Sequence, residues 1–213
     1  MKASERRYLD LLIKRYPTLE KNSDEINEAY KTIVYSIENG GKILVAGNGG
    51  SAADAEHIVG EMMKSFRKKR KLQEDIQTKL IAVDRNMGEK LSHYLQGAIT
   101  TIALDGHPAL TTAYLNDCDP LLGFAQQVYG YGKTGDILWA ISTSGNSPNI
   151  LYAAVTAKAL GMNVIGLTGG NDNQLKKYAD ICIMVPETET FMIQELHLPI
   201  YHTLCLMLEE HFF

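Results

Sequence analysis

Short apolar runs recur along the chain, and helix-like segments separate most of them. Ile43–Gly47, Thr100–Leu104, Asp136–Ile141, Asn163–Leu167 and Ile181–Val185 each span five or six residues. Runs of that length suit strands buried on both faces rather than helices. Between them lie helical stretches from Ser51 to about Phe66, over Asp119–Tyr129 and over Pro148–Leu160. Strands alternating with helices predict an α/β fold, a three-layer αβα sandwich around a five-stranded parallel sheet. Leu9, Leu11, Leu12 and then Ile26, Ile33, Val34 and Ile37 add N-terminal helices over residues 1–40, stopped at Asn39-Gly40-Gly41. No repeat or low-complexity linker divides the chain, so residues 1–213 are expected to form one domain.

One segment interrupts the alternation. Arg67–Gly97 opens with Arg67-Lys68-Lys69-Arg70-Lys71 and continues with Leu72, Ile76, Leu80, Val83, Met87, Leu91 and Leu95 at helical spacing. It is expected to be an amphipathic helix or helical pair inserted at about 67–97, with its basic run a solvated helix end. A pocket edge and a partner subunit are equally open as the place where it packs. Composition excludes other classes. A chain of 213 residues with 45% apolar content can bury a continuous core. Lys+Arg 21 against Asp+Glu 25, a formal charge of −4, argues against a broad nucleic-acid surface. No stretch approaches the about 20 apolar residues of a membrane span. Met1–Tyr16 mixes charged with apolar residues, so no signal-peptide core is expected there. Three cysteines, Cys118, Cys182 and Cys205, form no C-x-x-C pair and fit a reducing, cytoplasmic setting.

Two loops follow strands and open helices. Gly47-Asn48-Gly49-Gly50-Ser51 lets backbone approach a ligand closely beside a helix N-terminus. It matches neither the dinucleotide nor the P-loop pattern. Ser142-Thr143-Ser144-Gly145-Asn146-Ser147-Pro148 offers four hydroxyls in six residues, Ser142, Thr143, Ser144 and Ser147, enough to surround a phosphate without a fixed cation. Ser147 also suits a helix cap with Pro148 at the first helical position. Two such loops at the carboxyl ends of parallel strands place a site where open α/β sheets bind ligands.

Acid–base groups lie close to the first loop. His57 and Glu61 share a helix face with Asp54, while Ala52, Ala55, Val59, Met62 and Phe66 form the opposite apolar stripe. Thr190–Phe213 is apolar nearly all round and is expected to be buried in the core or between subunits. Gln194, Glu195, His197 and His202 inside it need partners. Imidazole, carboxylate and amide oxygen suit zinc, nickel or iron. Gln194 and His202 are about 12 Å apart along a regular helix, and a kink or break at Pro199 is the expected way to close that gap.

Ala46-Gly47-Asn48-Gly49-Gly50-Ser51-Ala52-Ala53-Asp54-Ala55-Glu56-His57, Ser142-Thr143-Ser144-Gly145-Asn146-Ser147 and Gln194-Glu195-Leu196-His197 together resemble the sugar isomerase (SIS) domain. Within it the chain is most similar to the phosphoheptose isomerase family, over about Ile26–Leu208. The resemblance implies a flavodoxin-like five-stranded sheet and a homotetramer with active sites between subunits. It implies that Asn48, Gly49, Gly50 and Ser51 form the first substrate loop, that Asn116 and Asp117 contact the sugar, and that Ser142, Thr143, Ser144 and Ser147 bind phosphate. It further implies His57, Glu61, Gln194 and His202 as ligands of one divalent metal, usually zinc, with Gln194 and Glu61 also facing substrate. Glu61 and His202 would be the proton-transfer pair of an aldose–ketose isomerisation through an enediol, between sedoheptulose 7-phosphate and D-glycero-D-manno-heptose 7-phosphate. That substrate implies heptose supply for surface polysaccharide. Arg67–Gly97 and Asp105-Gly106-His107-Pro108 depart from the commoner pattern. Similar loops occur in a SIS adaptor resembling the replication-initiation regulator, which lacks the Glu and the late His; here both are present. An isomerase for a different phosphosugar is the other alternative.

Overall fold

Alternation within the strands decides which helices cover which face of the sheet. A computed structural model of the chain describes residues 2–213; Met1, the first residue of the expected N-terminal helical segment, lies outside them. Five strands, β1 Ile43–Ala46, β2 Thr101–Ala103, β3 Ile137–Ile141, β4 Asn163–Thr168 and β5 Ile181–Met184, pair in parallel in the order β2-β1-β3-β4-β5. Ile43 pairs with both Thr101 and Ile137, which fixes the register of β2, β1 and β3. Ile43, Val45, Ile137, Trp139 and Ile141 point to one face, and Leu44, Ala46, Leu138 and Ala140 to the other.

The first face is covered by α1 (Ala3–Arg15), α2 (Ser23–Glu38), α3 (Gly50–Met63) and the long α9 (Thr190–Phe212). The second is covered by α7 (Gly123–Tyr131) and α8 (Pro148–Ala159), through Val128, Ile150, Ala153 and Ala157. This is the expected α/β three-layer sandwich. The chain runs from β1 outward to β2 and then returns past β1 to β3, so the topological switch lies between β1 and β3. Both loops of interest leave the carboxyl ends of those two strands, where the strand order opens a crevice.

Several local expectations are corrected. The buried stripe of α3 is Ser51, Ala55, Ile58 and Met62, with Ala52 and Val59 only partly covered; these positions follow the helical period from the first turn. Residues 67–97 do hold a helical pair, α4 (Glu74–Val83) and α5 (Arg85–Tyr94), packed on each other. Their basic lead is solvated only in part: Arg67, Lys69 and Lys71 are exposed, but Arg70 is not. Arg70 is buried, donating to Glu209 Oε1 at 2.8 Å and to the carbonyls of Met62 and Glu61 at 2.7 Å. Glu209 also accepts the backbone N–H groups of Phe66, Arg67 and Lys68. A helix absent from the sequence expectations, α6, spans Pro108–Asp117; it buries no residue, and its apolar residues are spread around it without a stripe. The stretch expected to be helical from Asp119 begins instead as a short 3-10 turn, Pro120–Leu122, before α7. Finally, α9 runs unbroken through Pro199, whose carbonyl accepts from Thr203 Oγ1.

Candidate active site

The two loops are built by backbone geometry and tied together by one pair of amides. Gly49 caps α3 with φ +56°, and Gly145 turns the second loop with φ +62°; both lie in the left-handed region that favours glycine. Asn48 and Asn149 exchange side-chain hydrogen bonds of 2.9 and 2.8 Å, joining the first loop to the first turn of α8. In the second loop, Ser142 Oγ and Ser147 Oγ are 3.2 Å apart, and Ser144 Oγ accepts from the Asn146 N–H. Ser147 occupies the cap position of α8 with Pro148 next, as expected, but its hydroxyl makes no capping bond. The N-termini of α3 and α8 both open at these loops and turn the positive ends of their dipoles toward them.

Because α3 and α9 each follow a strand of one parallel sheet, they return in the same direction and lie side by side. Gln194 packs at the head of α3, where a Cβ on Gly50 would stand 2.5 Å from its Nε2. Seven residues further along α3, His57 meets His202, ring centroids 4.9 Å apart and nearly perpendicular. His57 Nε2 lies 3.3 Å from Glu61 Oε1. The structure thus brings His57, Glu61 and His202 together. It leaves Gln194 about two turns away, and among the described residues no hydrogen bond joins it to those three. The expected kink at Pro199 is replaced by a seam between two parallel helices. Asn116 and Asp117 close α6, exposed, with Asn116 donating to the Asp117 carboxylate. His197 is fully buried, which lowers its imidazole to about 4 and keeps it neutral.

Burial shapes the cluster's chemistry. It lowers His202 below the ordinary imidazole value, with His57 adding to the effect and Glu61 opposing it. Glu61 Oε2 and His202 Nε2 are buried with no partner, and such atoms cost free energy until something binds them. An imidazole–carboxylate–imidazole set suits a divalent ion, although among the described residues no three His, Cys, Asp or Glu side chains already stand as a ready-made ligand group. Beyond the expected residues, Tyr201 accompanies the cluster: its hydroxyl lies 3.0 Å from His57 Nδ1 and donates to Asp54 Oδ1 at 3.1 Å. Burial, and then the Asp54 carboxylate, push that phenol well above its usual value, so it keeps its proton. A phenol directly before a candidate ligand, in a mostly apolar helix, was the signal for it. Asn149 carried no such signal. After β2, burial raises the Asp105 carboxyl, and Asp105 Oδ1 and His107 Nε2 are two further unpartnered buried atoms.

The parallel sheet, the paired loops at its switch point and the polar seam between α3 and α9 define an α/β domain of the SIS type, and the profile of the SIS domain family matches residues 7–95 and 98–169. A phosphoheptose isomerase from Crocosphaera subtropica is 39% identical over 85% of this chain and 79% of its own length. One from a Nitratiruptor species is 36% identical over 94% and 96% respectively. Among solved structures, the phosphoheptose isomerase of Francisella tularensis has a TM-score of 0.74 at 33% identity, covering 95% of this chain and 94% of that one. That of Neisseria gonorrhoeae has a TM-score of 0.69 at 30% identity, covering 95% and 91%. The chain belongs to the phosphoheptose isomerase family.

Proposed function

We propose that the protein is an aldose–ketose isomerase that interconverts sedoheptulose 7-phosphate and D-glycero-D-manno-heptose 7-phosphate. The observation that carries this reading is the His57–Glu61–His202 cluster, set between α3 and α9 along the same helix that opens at the first loop. The spacing along α3 suits a substrate whose phosphate and reacting carbons lie at opposite ends of its chain. Ser142, Thr143, Ser144 and Ser147, with the N–H groups at the start of α8, bind the phosphate. Asn48–Ser51, Gln194, Asn116 and Asp117 hold the sugar.

Glu61 removes the proton from C1 of the ketose and returns it to C2, through an enediol. His202, neutral at pH 7, gives and takes the proton exchanged between the two neighbouring oxygens. His57, Glu61 and His202 would hold one divalent ion, zinc by the resemblance, with Gln194 the remaining candidate ligand; the unpartnered Glu61 Oε2 and His202 Nε2 support that fit. When bound, such an ion supplies positive charge that polarises the oxygens on C1 and C2. The same proposal makes the enzyme a cytoplasmic homotetramer with sites between subunits. No helix among the described residues is long and apolar enough to cross a membrane. The inserted pair α4–α5 exposes Val83, Met87 and Tyr94 at 88, 68 and 70%, an apolar surface of the kind that marks interfaces.

The test is an assay of the purified protein with sedoheptulose 7-phosphate, with and without added zinc, the product read by NMR. Zinc-stimulated formation of the aldoheptose 7-phosphate is expected. Absence of turnover with every divalent metal tried overturns the proposal.

A further inference from the structure

Tyr201 is 1% exposed and precedes His202 in α9. Its ring stands edge-on to both imidazoles, with centroids 5.5 Å from His57 and 5.0 Å from His202. A phenol has one proton to give. With that proton on Asp54 Oδ1, the Tyr201 oxygen meets His57 Nδ1 only as an acceptor, so Nδ1 must carry the ring hydrogen. His57 Nε2 then presents a lone pair toward Glu61 Oε1, 3.3 Å away. Two acceptors face each other there, an arrangement that a cation or a proton between them stabilises. In the opposite arrangement Tyr201 donates to Nδ1 and Nε2–H donates to Glu61. That leaves the Asp54 carboxylate against a phenol lone pair with no hydrogen between them.

We infer that Tyr201 and Asp54 are positioning residues that fix His57 as its Nδ1–H tautomer and aim its Nε2 lone pair at Glu61. Neither residue touches the reacting atoms. Asp54, one turn before His57 on α3, anchors the phenol from its own helix, and Tyr201 carries that constraint across the seam from α9. The chain Asp54–Tyr201–His57 is thus an outer shell for a metal-ligating imidazole, which orients the ring and settles which nitrogen is free. Its consequence for metal binding rests on the reading given under Proposed function; its geometry does not.

The experiment labels the histidines with nitrogen-15 and reads the His57 tautomer from long-range proton–nitrogen spectra of metal-free, substrate-free protein. Wild type is expected to show Nδ1–H. Tyr201→Phe removes the acceptor and Asp54→Ala frees the phenol proton to turn toward Nδ1; both are expected to move His57 to Nε2–H, hydrogen-bonded to Glu61. Zinc affinity, measured by titration calorimetry, is expected to fall about 10–100-fold in each. Hydrogen on Nε2 in the wild type, with or without one on Nδ1, or a tautomer unchanged in both variants, overturns the inference; shifted tautomers with an unchanged zinc affinity overturn only its consequence for metal binding. Failure of the wild-type isomerase assay counts against the catalytic reading alone, because the tautomer is read without metal or substrate.

Discussion

At the scale of single residues, Glu61 and Glu209 show two fates for a carboxylate in one fold. Glu61 has one oxygen beside His57 and the other buried without a partner; it is held open for chemistry. Glu61→Gln keeps the shape and removes the base, so turnover is expected to drop by roughly 100- to 10,000-fold with sugar-phosphate affinity nearly unchanged. An NMR assay and titration calorimetry with the phosphosugar check the pair of effects, and wild-type turnover in the variant removes Glu61 from its role. Glu209 is fully committed. Burial pushes its carboxyl up, but the N–H groups of Phe66, Arg67 and Lys68 together with the Arg70 guanidinium outweigh that and bring it below the ordinary glutamate value. A lowered folded-state value contributes stability above the unfolded value, and that contribution is lost as pH falls through the folded one. Glu209→Gln should therefore cost about 3 kcal/mol at pH 7 by leaving buried Arg70 uncompensated, and should flatten the loss of stability below the ordinary glutamate range. Urea melts at pH 7 and in acid read both. The basic run at 67–71 looks like a solvated helix end in sequence because Glu209, its partner, is some 140 residues distant.

At the scale of elements, the polar seam between α3 and α9 follows from strand direction. A parallel sheet makes α3 and α9 parallel to each other, and that, rather than a kink at Pro199, sets His202 against His57 while leaving Gln194 at Gly50. The i,i+4 pair His57–Glu61 was legible in the sequence because one helix contains it. Its pairing with His202 was implied by the family resemblance alone and by no spacing, because it depends on two helices separated by four strands. The link between the loops behaves likewise: Asn48 and Asn149 are 101 residues apart and meet only because β1 and β3 are neighbours. Asn149→Ala removes two partly exposed hydrogen bonds together worth about 1 kcal/mol. The Michaelis constant for the phosphosugar is expected to rise about fivefold, with the melting temperature falling by only about 2–4 °C; steady-state kinetics and calorimetry separate the two.

On the scale of the whole molecule, the apolar surface of α4 and α5 remains uncovered in one chain. Neither helix buries a large side chain, α5 burying only Gly88, while Ile76, Val83, Met87, Leu91 and Tyr94 are exposed. Such an area is expected to be covered in the proposed tetramer. Val83→Glu, at the most exposed of these positions, should shift the protein to smaller species in light scattering without lowering the stability of the isolated subunit. A variant that stays tetrameric moves the subunit contact elsewhere.

What the sequence determined by itself was whatever is written within short spans: the five strands, the helices with a buried stripe, the two loops at strand ends and the His–Glu pair one turn apart. Backbone sterics and the period of apolar residues act locally, so those features needed no knowledge of the rest. The tertiary structure alone decided the strand order with its switch between β1 and β3, the parallel seam of α3 and α9, the burial of Arg70 on Glu209, and Tyr201 bridging Asp54 and His57. α6 was not foreseen for a different reason: Ala109, Leu110, Ala113, Tyr114 and Leu115 are spread around the helix instead of forming one stripe, so no helical period stands out. Distant side chains meet only after the sheet has set the direction and neighbours of every helix, and that is why the polar seam of α3 and α9 belongs to the fold rather than to any one motif.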